Sequence, residues 1–262
     1  MGRYIDLHLH LLPKVDDGPA SDEESVELAR LIVSTGVGDA TVTPHFNAWN
    51  PNVLSSKAEL EDRVVQLRTL LSEHDIPLNV FPGAEHFLTP ELLTQVREGT
   101  APLLASGPYV LVELPFDNRP LYADELLYQL GLEGVQPVLA HPERYRWAHD
   151  APDLLEAFTS RGTVLQLTAG SLLGGYGSRV KKVADYLLRN RYYSLVGSDL
   201  HHPGQERLLP VMETAVAQAV GIEAADVLFG DNPARVLEGK PLLEVPVVEA
   251  ESQQKRLFGF FG

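Results

Sequence analysis

Short apolar runs alternate with longer amphipathic segments along the chain, the pattern of repeated β-α units. "RYIDLHLH" predicts a first strand, and "SDEESVELARLIVSTGVG" a helix in which Ser21 and Glu24 are spaced as a capping box with Gly36 near the exit. "DATVTPH" predicts a second strand, and residues 56–74, rich in Leu, Glu and Arg, a helix. "PLNVFPGAE" is a third strand and "TPELLTQVREG" a short helix. "YVLVELP" makes a fourth strand, and a helix over about 120–131 leads to "QPVLAH" as a fifth. A helix over roughly 151–161 precedes "TVLQLTAGS", and one over 178–190 precedes "YYSLVGSD", the sixth and seventh strands. Most of these strands are nearly continuous apolar runs, as expected when both faces are covered.

No internal repeat or low-complexity linker marks a second domain. The expectation is one α/β domain of residues 1–243, a parallel barrel, with an open parallel sheet as second choice. Residues 244–262 form a polar tail ending in "LFGFFG", which either frays or docks its phenylalanines on another subunit or partner.

In a parallel α/β barrel, chemistry collects at the carboxyl ends of the strands. Those ends carry His8 and His10, His45, Glu85, Glu113, His141, and Asp199 with His201. Five of the nine histidines occupy such positions, each beside an apolar run where an unpartnered polar group is costly. A lone strand-end histidine is usually an ordinary hydrogen-bonded one. Independent packing histidines have no reason to converge on one rim, whereas metal coordination explains them together. Asp17, in "VDDGP", can fold back over the same rim, and Asp16 is a candidate turn or cap residue. Imidazole and carboxylate without thiolate suit Mn²⁺, Fe²⁺ or Zn²⁺. So many donors exceed the needs of one ion and fit two or three.

Composition narrows the field. Cysteine is absent, which excludes disulfides, thiolate metal sites and a cysteine nucleophile. The formal net charge of −15 opposes binding to nucleic acid or to anionic lipid. No apolar run is long enough to span a bilayer, and "DLHLH" interrupts any secretory-signal pattern, so a cytoplasmic protein without membrane insertion is expected.

"DLHLH", "VDDGP", "TPH", "GAE", "VELP", "AHPERY" and "GSDLH" follow one another over residues 4 to about 239. In this order they resemble the polymerase-and-histidinol-phosphatase (PHP) superfamily, and within it the bacterial capsular-polysaccharide tyrosine-protein phosphatases of the CpsB/YwqE type. The resemblance implies a distorted (β/α)₇ barrel and a site of two or three divalent ions, commonly Mn²⁺. It implies ligands at His8, His10, Asp17, His45, Glu85, Glu113, His141, Asp199 and His201. It places phosphate-binding arginines at Arg144 and Arg207. After "SDLH" this chain departs from the family pattern, reading "HPGQER" where asparagine and a short run to the arginine are usual. The implied partner is a tyrosine-phosphorylated protein, a bacterial tyrosine autokinase controlling capsular or exopolysaccharide export.

The chemistry stands beside the resemblance. Phosphate monoesters hydrolyse very slowly in water, and attack on the dianion needs charge neutralisation and a strong nucleophile. Divalent ions meet both needs, and arginines clamp the remaining oxygens. Arg144 follows His141 by three residues and so emerges above the proposed metals; its bland role is an ion pair with Glu143. A phenol leaving group, pKa about 10, is easier to protonate than an alkoxide. Either His201 or metal-bound water could supply that proton, with Asp199 and His201 at the reacting centre. The competing readings are a small-molecule phosphatase such as histidinol-phosphatase, and a non-catalytic, metal-stabilised regulatory barrel.

Overall fold

The computed structural model describes residues 4–46, 53–204 and 208–246. Arg207, and all but the first three residues of the predicted tail, lie outside the described residues.

Nine strands form two parallel sheets. One runs β1 (Tyr4–Leu9), β2 (Val37–Val42), β4 (Asn79–Pro82), and the other β3 (His45–Phe46), β5 (Glu85–Phe87), β6 (Tyr109–Glu113), β7 (Gln136–Ala140), β8 (Val164–Thr168), β9 (Tyr193–Gly197). The second and third predicted strands are each broken in two, at Thr43–Pro44 and at Gly83–Ala84. Pro44 has no N–H to give a ladder, so pairing stops there and resumes as the Pro44 carbonyl accepts from Glu85 N at 3.0 Å. Each break passes one chain from the first sheet into the second. On the other side, Leu9 and Leu200 form a parallel bridge, with Asp199 N donating to His8 O (2.9 Å) and His10 N to Leu200 O (3.0 Å). The two sheets therefore meet at both seams, giving the strand order of a distorted (β/α)₇ barrel.

Helices α1 (Asp22–Ser34), α2 (Lys57–Glu73), α3 (Pro90–Glu98) and α4 (Ala123–Leu132) follow the early strands. The predicted cap of α1 exists in altered form: Ser21 Oγ accepts from Glu24 N at 3.2 Å, but Glu24 Oε2 reaches back to Ala20 N at 2.8 Å rather than to Ser21. The predicted 151–161 helix resolves into a 3₁₀ turn (Pro152–Leu155) and a single α turn, α5 (Glu156–Thr159). The sixth strand ends at Thr168, where α6 (Ala169–Leu172) begins, followed by α7 (Ser178–Arg189). The chain closes with α8 (Leu208–Val220), α9 (Ile222–Asp226), a π-helical turn and α10 (Asn232–Leu237).

The core has two parts. The larger joins outward strand residues such as Val110, Val112 and Leu139 to the helices. The smaller gathers Leu7, Tyr109, Leu111, Val138, Ala140 and Leu195 from the strands with Leu104 and Val236. Burying each such leucine contributes about 1.5–3 kcal/mol. On β6 the side-chain period of two carries the face of Tyr109 and Leu111 on to Glu113. That face leads from apolar packing to the polar end of the barrel. Among the described residues, no helix is long and apolar enough to cross a membrane.

Candidate metal centre

Glu85, the first residue of β5, is the hub of the polar end. Its Oε1 lies 3.0 Å from His141 Nε2, and its Oε2 lies 3.1 Å from His45 Nδ1, 3.4 Å from His8 Nε2 and 3.5 Å from His10 Nε2. Asp199 Oδ1 lies 3.4 Å from His8 Nε2 and 3.8 Å from His10 Nε2. Glu113 Oε1 is 3.6 Å from His45 Nδ1. From the rim, the exposed Asp17 brings Oδ1 to 3.3 Å from His201 Nε2 and 3.6 Å from His45 Nε2. All nine residues named as ligands by the resemblance thus meet at one end of the barrel. Seven of them, all but the fully buried His8 and His10, line a cleft of about 420 Å³ together with Arg144, Tyr176 and Phe116.

The donors are aimed. His8 Nδ1 sits 2.9 Å from Gln166 Oε1 and His10 Nδ1 sits 2.7 Å from Asp16 Oδ2, so each ring spends its N–H on a neighbour and turns Nε2 toward Glu85. Asp16 also accepts from His45 N (2.9 Å) and Gly18 N (3.0 Å), which makes it the organiser of the loop that carries Asp17. Gly197 is required behind His8, because a Cβ there would meet His8 Cβ at 2.7 Å and Gln166 at 2.8 Å. His141 (φ 36°) and Asp199 (φ 56°) adopt left-handed backbone at the ends of their strands, a conformation uncommon for non-glycine residues and frequent at functional sites.

The "HPERY" segment is accounted for residue by residue. Pro142 opens a 3₁₀ turn after His141, closed by Arg144 N on His141 O at 2.9 Å. Glu143 is fully buried: its Oε1 accepts from Thr168 N (3.0 Å) and its Oε2 from Tyr193 OH (2.9 Å). It is therefore not the partner of Arg144. Arg144 instead places NH1 2.6 Å from Asp199 Oδ2, inside the cleft. Tyr145 OH donates to Ala140 O (2.9 Å) and accepts from Leu114 N (3.0 Å), tying the ends of β6 and β7 together.

The electrostatics are those of a closely packed set of opposite charges. Burial acts on His8 to lower its pKa, but the Glu85 and Asp199 carboxylates outweigh it and raise it to about 8. His10 is pushed well above the usual imidazole value against the same burial, through Asp16 and Glu85. His45 moves down, because burial prevails there. Glu85 is held well below the carboxylate range, the surrounding imidazoles overriding its burial, and Asp199 likewise moves down. Glu113 goes the other way, to about 8, through burial and the neighbouring Glu85 charge.

Three groups of donor atoms lie within 4.8 Å of one another: His10, Asp17, His45 and His201; His8, His10 and Glu85; His45, Glu85 and Glu113. Buried His141 Nδ1 has no hydrogen-bond partner among the described residues. Oriented nitrogens, shared carboxylates and an orphaned ring nitrogen fit a cluster of divalent cations. Gln166→Leu is expected to weaken cation binding about 10–100-fold by freeing the His8 ring, measured by calorimetric titration.

Other polar side chains lie away from the centre. Arg119 pairs with Asp124 at 2.5 Å and packs over Phe158 and Trp147, and neither it nor Asn118 lines the cleft. His149 is half-buried and bonded to the Glu143 carbonyl (3.2 Å) rather than solvated. His86 is buried, bonded to Pro102 O (2.8 Å) and set edge-on to Phe46. Sequence reasoning passed over Gln166 and Tyr176. The first is a polar residue inside the apolar "VLQLT" run, a signal that was there to read.

A parallel barrel whose strand ends converge on imidazoles, carboxylates and an arginine is a PHP-type barrel with a candidate polynuclear metal centre. The chain belongs to the capsular polysaccharide synthesis family CpsB/CapC, whose family model matches residues 4–238. It is similar to the tyrosine-protein phosphatase YwqE of Bacillus subtilis, 32% identical over 257 residues, 98% of this chain and 100% of the relative. It is also similar to the tyrosine-protein phosphatase CpsB of Streptococcus pneumoniae, 27% identical over 241 residues, 89% of this chain and 98% of the relative. A crystal structure from work on YwqE and CpsB, described as unique metal-dependent tyrosine phosphatases, superposes with a TM-score of 0.85 at 31% identity, covering 94% of this chain and 100% of that one. The phosphotriesterase of Mycobacterium tuberculosis, at 13% identity and a TM-score of 0.54, shares the fold.

Proposed function

We propose that this chain hydrolyses phosphotyrosine in proteins, using two or three divalent cations, Mn²⁺ above all, held by His8, His10, Asp17, His45, Glu85, Glu113, His141, Asp199 and His201. The observation that carries the reading is the buried Glu85 carboxylate within 3.5 Å of four imidazoles, on the wall of a cleft that also holds Arg144. The relatives of known name act on phosphotyrosine, and the absence of cysteine removes the thiol route.

Cations in this site would neutralise a phosphoryl group and acidify a water at neutral pH. The protein's own groups do the rest. Arg144 presents a fork of N–H donors to phosphoryl oxygens, with one nitrogen anchored on Asp199. His201 has Nδ1 2.9 Å from the Asp199 carbonyl, so an N–H there donates to that oxygen and leaves Nε2 facing the cleft, as a cation ligand or, when it holds no cation, as the atom that exchanges a proton with the departing phenol oxygen. Phe116 gives the cleft an aromatic wall suited to an aryl ester. Arg207 is the second phosphate clamp in this reading. Residues 1–243 constitute the catalytic domain and residues 244–262 an accessory tail. The substrate is a cytoplasmic tyrosine-phosphorylated protein, a tyrosine autokinase of polysaccharide export.

A parallel assay tests the reading. Purified protein, with its metals measured by elemental analysis, is offered a phosphotyrosyl peptide and histidinol phosphate. The expected result is preference for the peptide, loss of turnover on chelation, recovery with Mn²⁺ and no response to iodoacetamide. Full activity after metal stripping, or preference for histidinol phosphate, would overturn it.

A further inference from the structure

The cleft wall carries a tyrosine beside Arg144. Tyr176 is 41% exposed, yet its ring is not loose. The Arg144 guanidinium carbon lies 4.3 Å from the Tyr176 ring centroid and 4.9 Å from that of Phe116. Phe116 is itself stacked on His141 at 5.5 Å. The arginine is thus packed against two aromatic rings, with Asp199 Oδ2 2.6 Å from NH1.

The chain segment that presents Tyr176 is built to seat it. "AGSLLGGYG", residues 169–177, runs from α6 into a glycine-rich turn in which Gly175 N donates to Gly170 O at 2.9 Å and Gly177 N to Gly174 O at 3.0 Å. A Cβ on Gly170 would come within 3.0 Å of Tyr176 Cε2, so the ring rests on a bare Cα. The Gly170 backbone and the Arg144 guanidinium both pack against the ring.

Asp199 is a candidate cation ligand and is not a dedicated anchor for Arg144. A free arginine side chain carries about 2 kcal/mol of rotamer entropy, which packing against two flat rings reduces. We infer that Tyr176 is a positioning residue that holds Arg144 in line with the phosphoryl group, acting through the arginine rather than on the substrate. The inference rests on the reading of the cleft as a phosphoryl site.

The test is a double-mutant cycle in the Mn²⁺-loaded full chain, combining Tyr176→Leu with Arg144→Lys. It is read by kcat/KM on a phosphotyrosyl peptide and by calorimetric titration of inorganic phosphate. In the native background, Tyr176→Leu is expected to lower kcat/KM and weaken phosphate binding by similar factors, about 2- to 30-fold. Tyr176→Phe, which keeps the ring, restores most of the loss. Gly170→Ala, which displaces the ring without removing it, gives an intermediate loss. In the Arg144→Lys background, Tyr176→Leu changes kcat/KM by less than about twofold, because the partner it orients is gone.

An undiminished loss in that background would mean that the ring touches the substrate itself, and the inference fails. It fails equally if Tyr176→Leu has no effect in an active native enzyme. The phosphate titration separates the two levels. A protein that binds phosphate with the expected coupling but leaves phosphotyrosine intact keeps the inference and ends the substrate reading. One that binds no phosphate ends both.

Discussion

Glu85→Gln is expected to lower phosphotyrosine turnover by about a thousandfold or more and to weaken cation binding to the same order. The carboxylate is buried and lies 3.0–3.5 Å from nitrogens of His141, His45, His8 and His10. Removing one member of a buried charged set costs about 3–5 kcal/mol, and about 4 kcal/mol is a thousandfold in an equilibrium constant. The amide keeps the shape but not the charge that makes this group the shared ligand. The folded-state pKa of Glu85 is depressed, so its stabilisation is present above the ordinary glutamate value and is lost as pH falls toward the depressed one. The cation-free variant is therefore expected to melt below the cation-free parent at pH 7, with the gap narrowing in acid. Calorimetric titration, steady-state kinetics and melting curves check the three parts; turnover within tenfold of the parent would remove Glu85 from the centre.

Much of this was legible because strand periodicity is local. In "DLHLH" the alternation puts two imidazoles on one side of β1, and "VELP" and "LAH" place Glu113 and His141 at the ends of their strands by the same logic. The capping position of α1 was equally local: Ser21 stands three residues before Glu24 and ahead of an apolar run. What the pattern could not carry was pairing across the chain. Gln166 lies 158 positions from His8, and nothing near either residue announces the contact. Of two adjacent aspartates, the structure buries Asp16 against His10 and leaves Asp17 on the rim, a division set by how the loop closes over His45. The bland pairing of Arg144 with Glu143 failed because a 3₁₀ turn sends neighbouring side chains in different directions, one into the core and one into the cleft. The closing helices α8 to α10 were left unassigned.

The same packing explains why the support of the site is as polar as the site. Glu143 accepts from the backbone at the end of β8 and from a tyrosine on β9, while Tyr145 bridges β6 and β7. The ends of β6, β7 and β8 and the start of β9 are therefore tied to one another below the cleft. Buried hydrogen bonds of this kind specify geometry to within tenths of an ångström. A cluster of cations requires that, since each ligand tolerates only a narrow range of distance.

Cation binding is expected to release protons and to weaken steeply as pH falls below about 8. In the cation-free protein the His8 and Glu113 pKa values are both raised to about 8, so each is largely protonated at pH 7, and His10 is pushed well above the usual imidazole value. A ligand must give up its proton before it can donate an electron pair, so each contributes about one decade of apparent affinity per pH unit below its pKa. Two or three such groups make the dependence about 10²- to 10³-fold per unit between pH 8 and 7. His45, shifted down, is already neutral and adds nothing there. The sign for stability is opposite in the two states. The raised His8 pKa contributes stability to the cation-free fold that is fully present below the unfolded value and disappears as pH rises through about 8, and ionising the buried Glu113 over the same range destabilises further. The cation-free protein should therefore melt lower at pH 9 than at pH 7, while Mn²⁺-saturated protein gains stability over that interval. Titration calorimetry in buffers of different ionisation enthalpy counts the protons. Release of fewer than one at pH 7, or an affinity indifferent to pH, would mean that cations do not displace protons from His8, His10 and Glu113.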